Sequence, residues 1–156
     1  MIRQVKILAG AVIVSTIGTE AVLADCMQQD ERRSEQARYV QTSLMVGAIQ
    51  CRAKADFRDL YNRFVKLHQT ELTESYAAID RYLKANHKMT IDKYLVGQAN
   101  YVSVASYKTP DFCEKLYVVA QEASEGGAPA DFVGRLPVRY ESKAVNCPVV
   151  ASADSK

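Results

Sequence analysis

Residues 31–53 read ERRSEQARYVQTSLMVGAIQCRA, and this stretch decides the fold. Val40, Leu44, Gly47, Ala48 and Cys51 recur at the spacing that lays side chains along one stripe of an α-helix. Glu31, Arg32, Arg33, Glu35 and Arg38 line the opening with mixed charge, as a solvated first turn does, and no proline interrupts. The stretch therefore predicts one long helix.

The same period continues outward. A second helix starts near Asp56, with Phe57, Leu60, Tyr61, Phe64, Val65 and His68 on one face. The pattern runs on through Leu72, Tyr76, Ile79 and Leu83, as one long helix or as two segments with a kink, Thr70 or Thr73 capping the second. Asn86-His87-Lys88 is a break, and Thr90 is an N-cap with Asp92 in the first turn behind it. The helix that follows runs to about Ser106 and buries Ile91, Tyr94, Leu95, Gln98, Val102 and Ala105. Thr109-Pro110-Asp111 reads as another start, with an N-cap, proline at the first helical position and an acid near the positive end. That helix carries Phe112, Cys113, Leu116, Tyr117 and Ala120 and stops by Gly126-Gly127. Gly47 and Gly97, both inside helices, predict close helix–helix approach. Beyond these helices Pro129, Gly134, Pro137 and Pro148 break any period. The predicted fold is all-α: a disulfide-linked bundle of four or five helices with an irregular C-terminal strap. The strap holds one short strand (Pro137 to Tyr140), and residues 151–156 form a disordered tail.

The composition agrees with one modest domain, spanning residues 25–150. The chain has 156 residues, 48% apolar and 24% charged, with a formal net charge of +2. These values exclude a collagen-like or strongly disordered chain, and the near-balanced charge argues against nucleic-acid binding. Residues 1–24 read as a cleaved signal peptide. Arg3 and Lys6 form a positive start, Ile7 to Ile17 is uncharged and too short to span a bilayer, and Val22-Leu23-Ala24 suits a signal peptidase. Asp25 before Cys26 excludes lipidation, which needs a small residue there. No later stretch is long and apolar enough to cross a membrane, so the expected location is periplasmic or secreted.

An exported chain with Cys26, Cys51, Cys113 and Cys147 is expected to carry two structural disulfides. None of the four forms a C-x-x-C pair, so the dithiol and zinc-knuckle chemistries lack their first requirement. Three pairings are possible. Cys51 and Cys113 sit on helix stripes and Cys26 and Cys147 in irregular terminal segments, which favours Cys51–Cys113 with Cys26–Cys147.

Chemistry-bearing patterns are sparse. His68 and Glu71 have the helical spacing of a metal-binding pair, but no third or fourth ligand stands at motif spacing. Asp56 with Asp59 and Glu71 with Glu74 are interleaved with Arg58, Arg63 and Lys66, the pattern of a solvated, salt-bridged face. No nucleophile elbow, dinucleotide fingerprint or phosphate loop is present. The chain reads as non-enzymatic, with no catalytic residue, no metal and no cofactor. Its candidate ligand or partner contacts are Tyr94 and Tyr101, two helical turns apart, with His68 and the basic residues Arg58 and Arg63.

Residues 42–48 leading to Cys51, with Tyr61-Asn62-Arg63-Phe64-Val65, residues 94–100 and Phe112-Cys113, resemble a group of small exported helical proteins from proteobacteria. The resemblance covers about Tyr39 to Leu116. It implies a helical fold and a Cys51–Cys113 link, and it carries no activity. The expected function is a helical domain binding a protein or cell-envelope component, and the alternative is a carrier of a small hydrophobic ligand in a tyrosine-lined cavity. N-terminal sequencing of the exported protein is expected to begin at Asp25, and intact-mass measurement to find no free thiol; a retained leader or four alkylatable cysteines would refute the export reading.

Overall fold

A helix that meets neighbours on every side loses its polar face, and the helix predicted over 31–53 does so. The structure is a computed structural model describing residues 26–148; the expected signal peptide and the 151–156 tail lie outside the described residues. Strand β1 (Cys26–Met27) leads into α1 (Gln29–Gln50), followed by α2 (Phe57–Leu67), α3 (Gln69–Asn86), α4 (Ile91–Ser106) and α5 (Phe112–Ala123). A 3₁₀ helix (Pro129–Arg135) and β2 (Val145–Asn146) complete the described residues, which are all-α apart from the short β1–β2 pairing. Helix α1 packs against α2, α3, α4, α5 and the 3₁₀ helix. It starts in a capping box between Gln28 and Glu31. From Tyr39 onward it buries Val40, Thr42, Ser43, Leu44, Val46 and Gly47, a wider surface than a single stripe.

Two hydrophobic clusters result. The larger joins Val40 and Leu44 of α1 to Phe57 and Phe64 of α2, Leu116 of α5 and Phe132 of the 3₁₀ helix. Removing each large side chain of this kind from water contributes about 1.5–3 kcal/mol. The smaller cluster gathers Met27, Ile79, Tyr82, Leu83 and Ile91, with Tyr94 and Leu95 against it.

Several boundaries depart from the sequence reading. The long 56–83 pattern is two helices, broken at His68 rather than capped by Thr70 or Thr73. His68 is buried, and its Nε2 donates to the Ala123 carbonyl at 3.1 Å, tying the bend to the end of α5. Thr90 caps α4 as expected, accepting from the Lys93 backbone N–H at 3.4 Å. The Thr109-Pro110-Asp111 signal is displaced by two residues. Thr109 Oγ1 donates to the Ala105 carbonyl and so closes α4, while Asp111, at φ 54°, becomes the N-cap of α5. Residues 137–140 form no strand. Tyr39 donates its hydroxyl to the Val138 and Arg139 carbonyls instead, and the pairing goes to β1 and β2, which run parallel with Cys26 opposite Val145.

The two disulfides are Cys26–Cys147 and Cys51–Cys113. They close spans of 121 and 62 residues, worth about 5 and about 4 kcal/mol on the chain-entropy model. Such bonds persist in an oxidising, non-cytoplasmic compartment. Among the described residues no helix is long and apolar enough to cross a membrane.

The two mid-helix glycines differ. A Cβ on Gly47 would lie 2.6 Å from Phe57 Cζ and 2.7 Å from Leu116 Cδ2, so its bare backbone is what lets α2 and α5 close on α1. Gly97 has nothing within 4 Å, so close helix approach does not explain it. Urea unfolding is therefore expected to show Gly47→Ala destabilising by about 1–3 kcal/mol from overpacking. Gly97→Ala is expected to stabilise by roughly 0.5–1 kcal/mol through helix propensity; the same sign at both positions would contradict the packing.

Candidate functional site

Burying a carboxylate costs several kcal/mol unless its oxygens find donors. Glu35, on the first half of α1, is only 4% exposed. The mixed-charge opening of α1 led it to be expected in solvent. Instead its Oε1 accepts from the Tyr94 hydroxyl of α4. Its Oε2 accepts from the Tyr140 hydroxyl, from Ser142 Oγ at 2.8 Å and from Arg32 Nη1 at 3.0 Å. Arg32 extends the web to the strap, donating through Nη2 to the Ala144 carbonyl at 2.8 Å and through Nε to Asn146 Oδ1 at 3.0 Å. Gln98 Nε2 donates to the Tyr94 oxygen at 3.0 Å, and the Tyr39 ring packs on the Tyr140 ring with centroids 5.3 Å apart. One carboxylate thus holds α1, α4 and the strap at fixed distances.

Beside this web the smaller cluster does not close. A partly open cavity of about 510 Å³ remains between α1, the second half of α3, α4 and residues 141–144. Its deeper wall is Met27, Ile79, Tyr82 and Leu83, with the Tyr39 and Tyr94 rings and the Glu35 web on the α1 side. Gly97 and Tyr101 of α4 line it too, and His87, Met89, Lys93, Glu141 and Lys143 surround the mouth. Gly97, exposed on α4, has open space where a side chain would stand and is on the lining of this cavity.

Burial shifts the tyrosines in one direction. Tyr94 is held above the ordinary phenol range first by desolvation, then by the Glu35 charge. Tyr140 is pushed up to about 12 by burial and by its hydrogen bond to Glu35. Burial also raises Tyr39. All three hydroxyls therefore stay protonated donors at neutral pH.

The candidate contacts are dispersed. Tyr94 and Tyr101 line the cavity. His68 does not; it is committed to Ala123 on the other side of the bundle. Arg58 lines a separate polar hollow of about 350 Å³ with Arg52, Lys54 and Asp59 beside Cys51. Lys54 there pairs with Glu114 at 3.8 Å and lies over the Tyr117 ring. Arg63 is exposed on α2 and lines neither space. The Asp56 carboxylate accepts the Tyr117 hydroxyl at 2.8 Å. Among the described residues no group of three or more His, Cys, Asp and Glu side chains could hold a metal ion. Tyr39, Tyr82, Tyr140 and above all Glu35 were not singled out by the sequence. A signal was present, since Glu35, Tyr39, Thr42 and Val46 repeat at helical spacing and all four are buried.

No family model matches the chain, and neither does any curated protein or solved structure.

Two outcomes follow for the web. Glu35→Ala leaves the Arg32 guanidinium and three hydroxyls without their shared acceptor, and is expected to cost about 3 kcal/mol or more in chemical denaturation. Because Tyr140 titrates higher folded than unfolded, its contribution is complete below about pH 10 and is lost as pH rises through about 12. The unfolding midpoint is expected to fall across that window, and Tyr140→Phe to flatten the fall; a midpoint insensitive to alkali would contradict the buried-phenol assignment.

Proposed function

We propose that the protein is an exported, non-enzymatic carrier that holds a small, mainly apolar molecule in the cavity between α1, α3, α4 and the strap. The observation that carries this reading is the cavity itself. Its volume of about 510 Å³ lies within the roughly 300–1,000 Å³ of small-molecule sites. Its lining has the same character: aliphatic, methionine and tyrosine walls with a few fixed polar groups. The Glu35 web supports it further, because a site held by satisfied hydrogen bonds is pre-formed and costs little ordering on binding. The leader over residues 1–24 and the two disulfides support a periplasmic or secreted location.

The second reading, a domain that docks on a protein or envelope component, draws on Val96 and Val104, which face solvent on α4 at 59% and 61% exposure, with Tyr107 beyond them. The two readings separate at Gly97. Gly97→Phe adds a ring on the cavity lining and is expected to abolish one-to-one binding of an environment-sensitive apolar dye, with helicity by circular dichroism unchanged. Val96→Ser with Val104→Ser is expected to leave dye binding intact. Dye binding that survives Gly97→Phe and is lost with the outer-face variant would overturn the carrier reading.

A further inference from the structure

The charges around the cavity mouth distinguish among apolar ligands. We propose, resting on the carrier reading, that the ligand is an amphipathic monocarboxylate, its chain in the cavity and its acid group at Lys93 and Lys143. Each charged group facing the space contributes to this choice. Glu35 offers nothing to a cationic head: both its oxygens already accept hydrogen bonds, and Arg32 stands against it at 3.0 Å. Lys93 on α4 and Lys143 on the strap line the cavity, and both are exposed. Neither belongs to an ion pair among the described residues. Asp92, next to Lys93, accepts the Tyr76 hydroxyl at 3.0 Å. Glu141 is the one other carboxylate on the lining, so the mouth carries two ammonium groups against one acid. His87 adds a ring nitrogen 3.3 Å from the Tyr82 hydroxyl.

Behind the lysines the wall turns apolar. Met27, Ile79 and Leu83 form its buried part, and Met89 adds a second methionine nearer the mouth. Methionine adapts to irregular, flexible partners, which fits an alkyl chain better than a rigid ring system. A ligand with an apolar body and an anionic end satisfies both zones at once. A neutral ligand leaves the lysines as they were, and a cationic one meets net repulsion. Exposed lysine–carboxylate attraction is modest and falls with salt, so the head group sets preference among chains rather than the bulk of the affinity.

Calorimetry on the full mature chain, with dodecanoate, dodecanol and dodecylammonium each below its aggregation concentration, tests the proposal. Dodecanoate is expected to bind about tenfold more tightly than dodecanol, with dodecylammonium weakest. The double variant Lys93→Gln, Lys143→Gln alters two exposed side chains; it is expected to keep its circular dichroism spectrum and to erase the preference for dodecanoate over dodecanol. Equal affinity for acid and alcohol in the native protein overturns the head-group assignment while leaving the carrier reading in place. So does a preference for the amine, and so does a carboxylate preference that survives the double variant. Failure of all three to bind overturns the carrier reading itself.

Discussion

A carboxylate buried in a small helical domain must be surrounded by donors, and meeting that need at Glu35 determines how the second half of this molecule is arranged. Tyr94 brings α4 to α1, Tyr140 and Ser142 bring the strap, and Arg32 supplies the balancing charge from one helical turn away. The donors come from sites up to 107 residues distant in the chain. A hydrophobic contact would tolerate sliding; four donors on two oxygens do not. The web therefore fixes α4 and the strap against α1 along one wall of the cavity, where Glu35, Tyr94 and Ser142 are all on the lining. Only Ile91 and Val102 of α4 are buried, consistent with a helix positioned by its polar contacts as much as by its core.

On the other side of α1 the logic is reversed. Gly47 removes a side chain so that Phe57 and Leu116 can reach the helix backbone, and Cys51–Cys113 fastens α1 to α5 at that closely packed end. His68 adds a buried tie from the α2–α3 bend to the end of α5. The second disulfide, Cys26–Cys147, anchors the strap whose residues complete the Glu35 web and the cavity rim. One end of the molecule is closed by packing, and the other is kept open by hydrogen bonds and a cross-link.

That division explains what was legible in the residues alone. Apolar periodicity reports contacts between whole faces, so the helices, the all-α class and the stripe carrying Cys51 and Cys113 could be read directly. The cost of a glycine inside a helix points to close approach at Gly47 and Gly97 alike, and it holds at Gly47 alone. Glu35 was assigned to solvent because periodicity weighs a charged residue among charged neighbours as surface; its partners lie beyond any local window. Its place on a face with Tyr39, Thr42 and Val46 was the one local sign. Thr109 misled because a threonine before a proline serves equally to close one helix or to open the next. Tyr94 and Tyr101 were legible as a pair on one helix, whereas the strap that faces them carries no periodic signal at all.

Exported carrier, apolar cavity and charged mouth form one account, and its central claim is that the space beside the Glu35 web takes up an apolar molecule. The methionine methyls report on it directly: Met27 and Met89 line the cavity, while Met45 lies on α1 outside it. Methyl NMR of methionine-labelled mature protein, titrated with dodecanoate, should move the Met27 and Met89 signals together and saturably while Met45 stays in place. Signals that do not move, or a Met45 shift as large as the other two, would contradict the account.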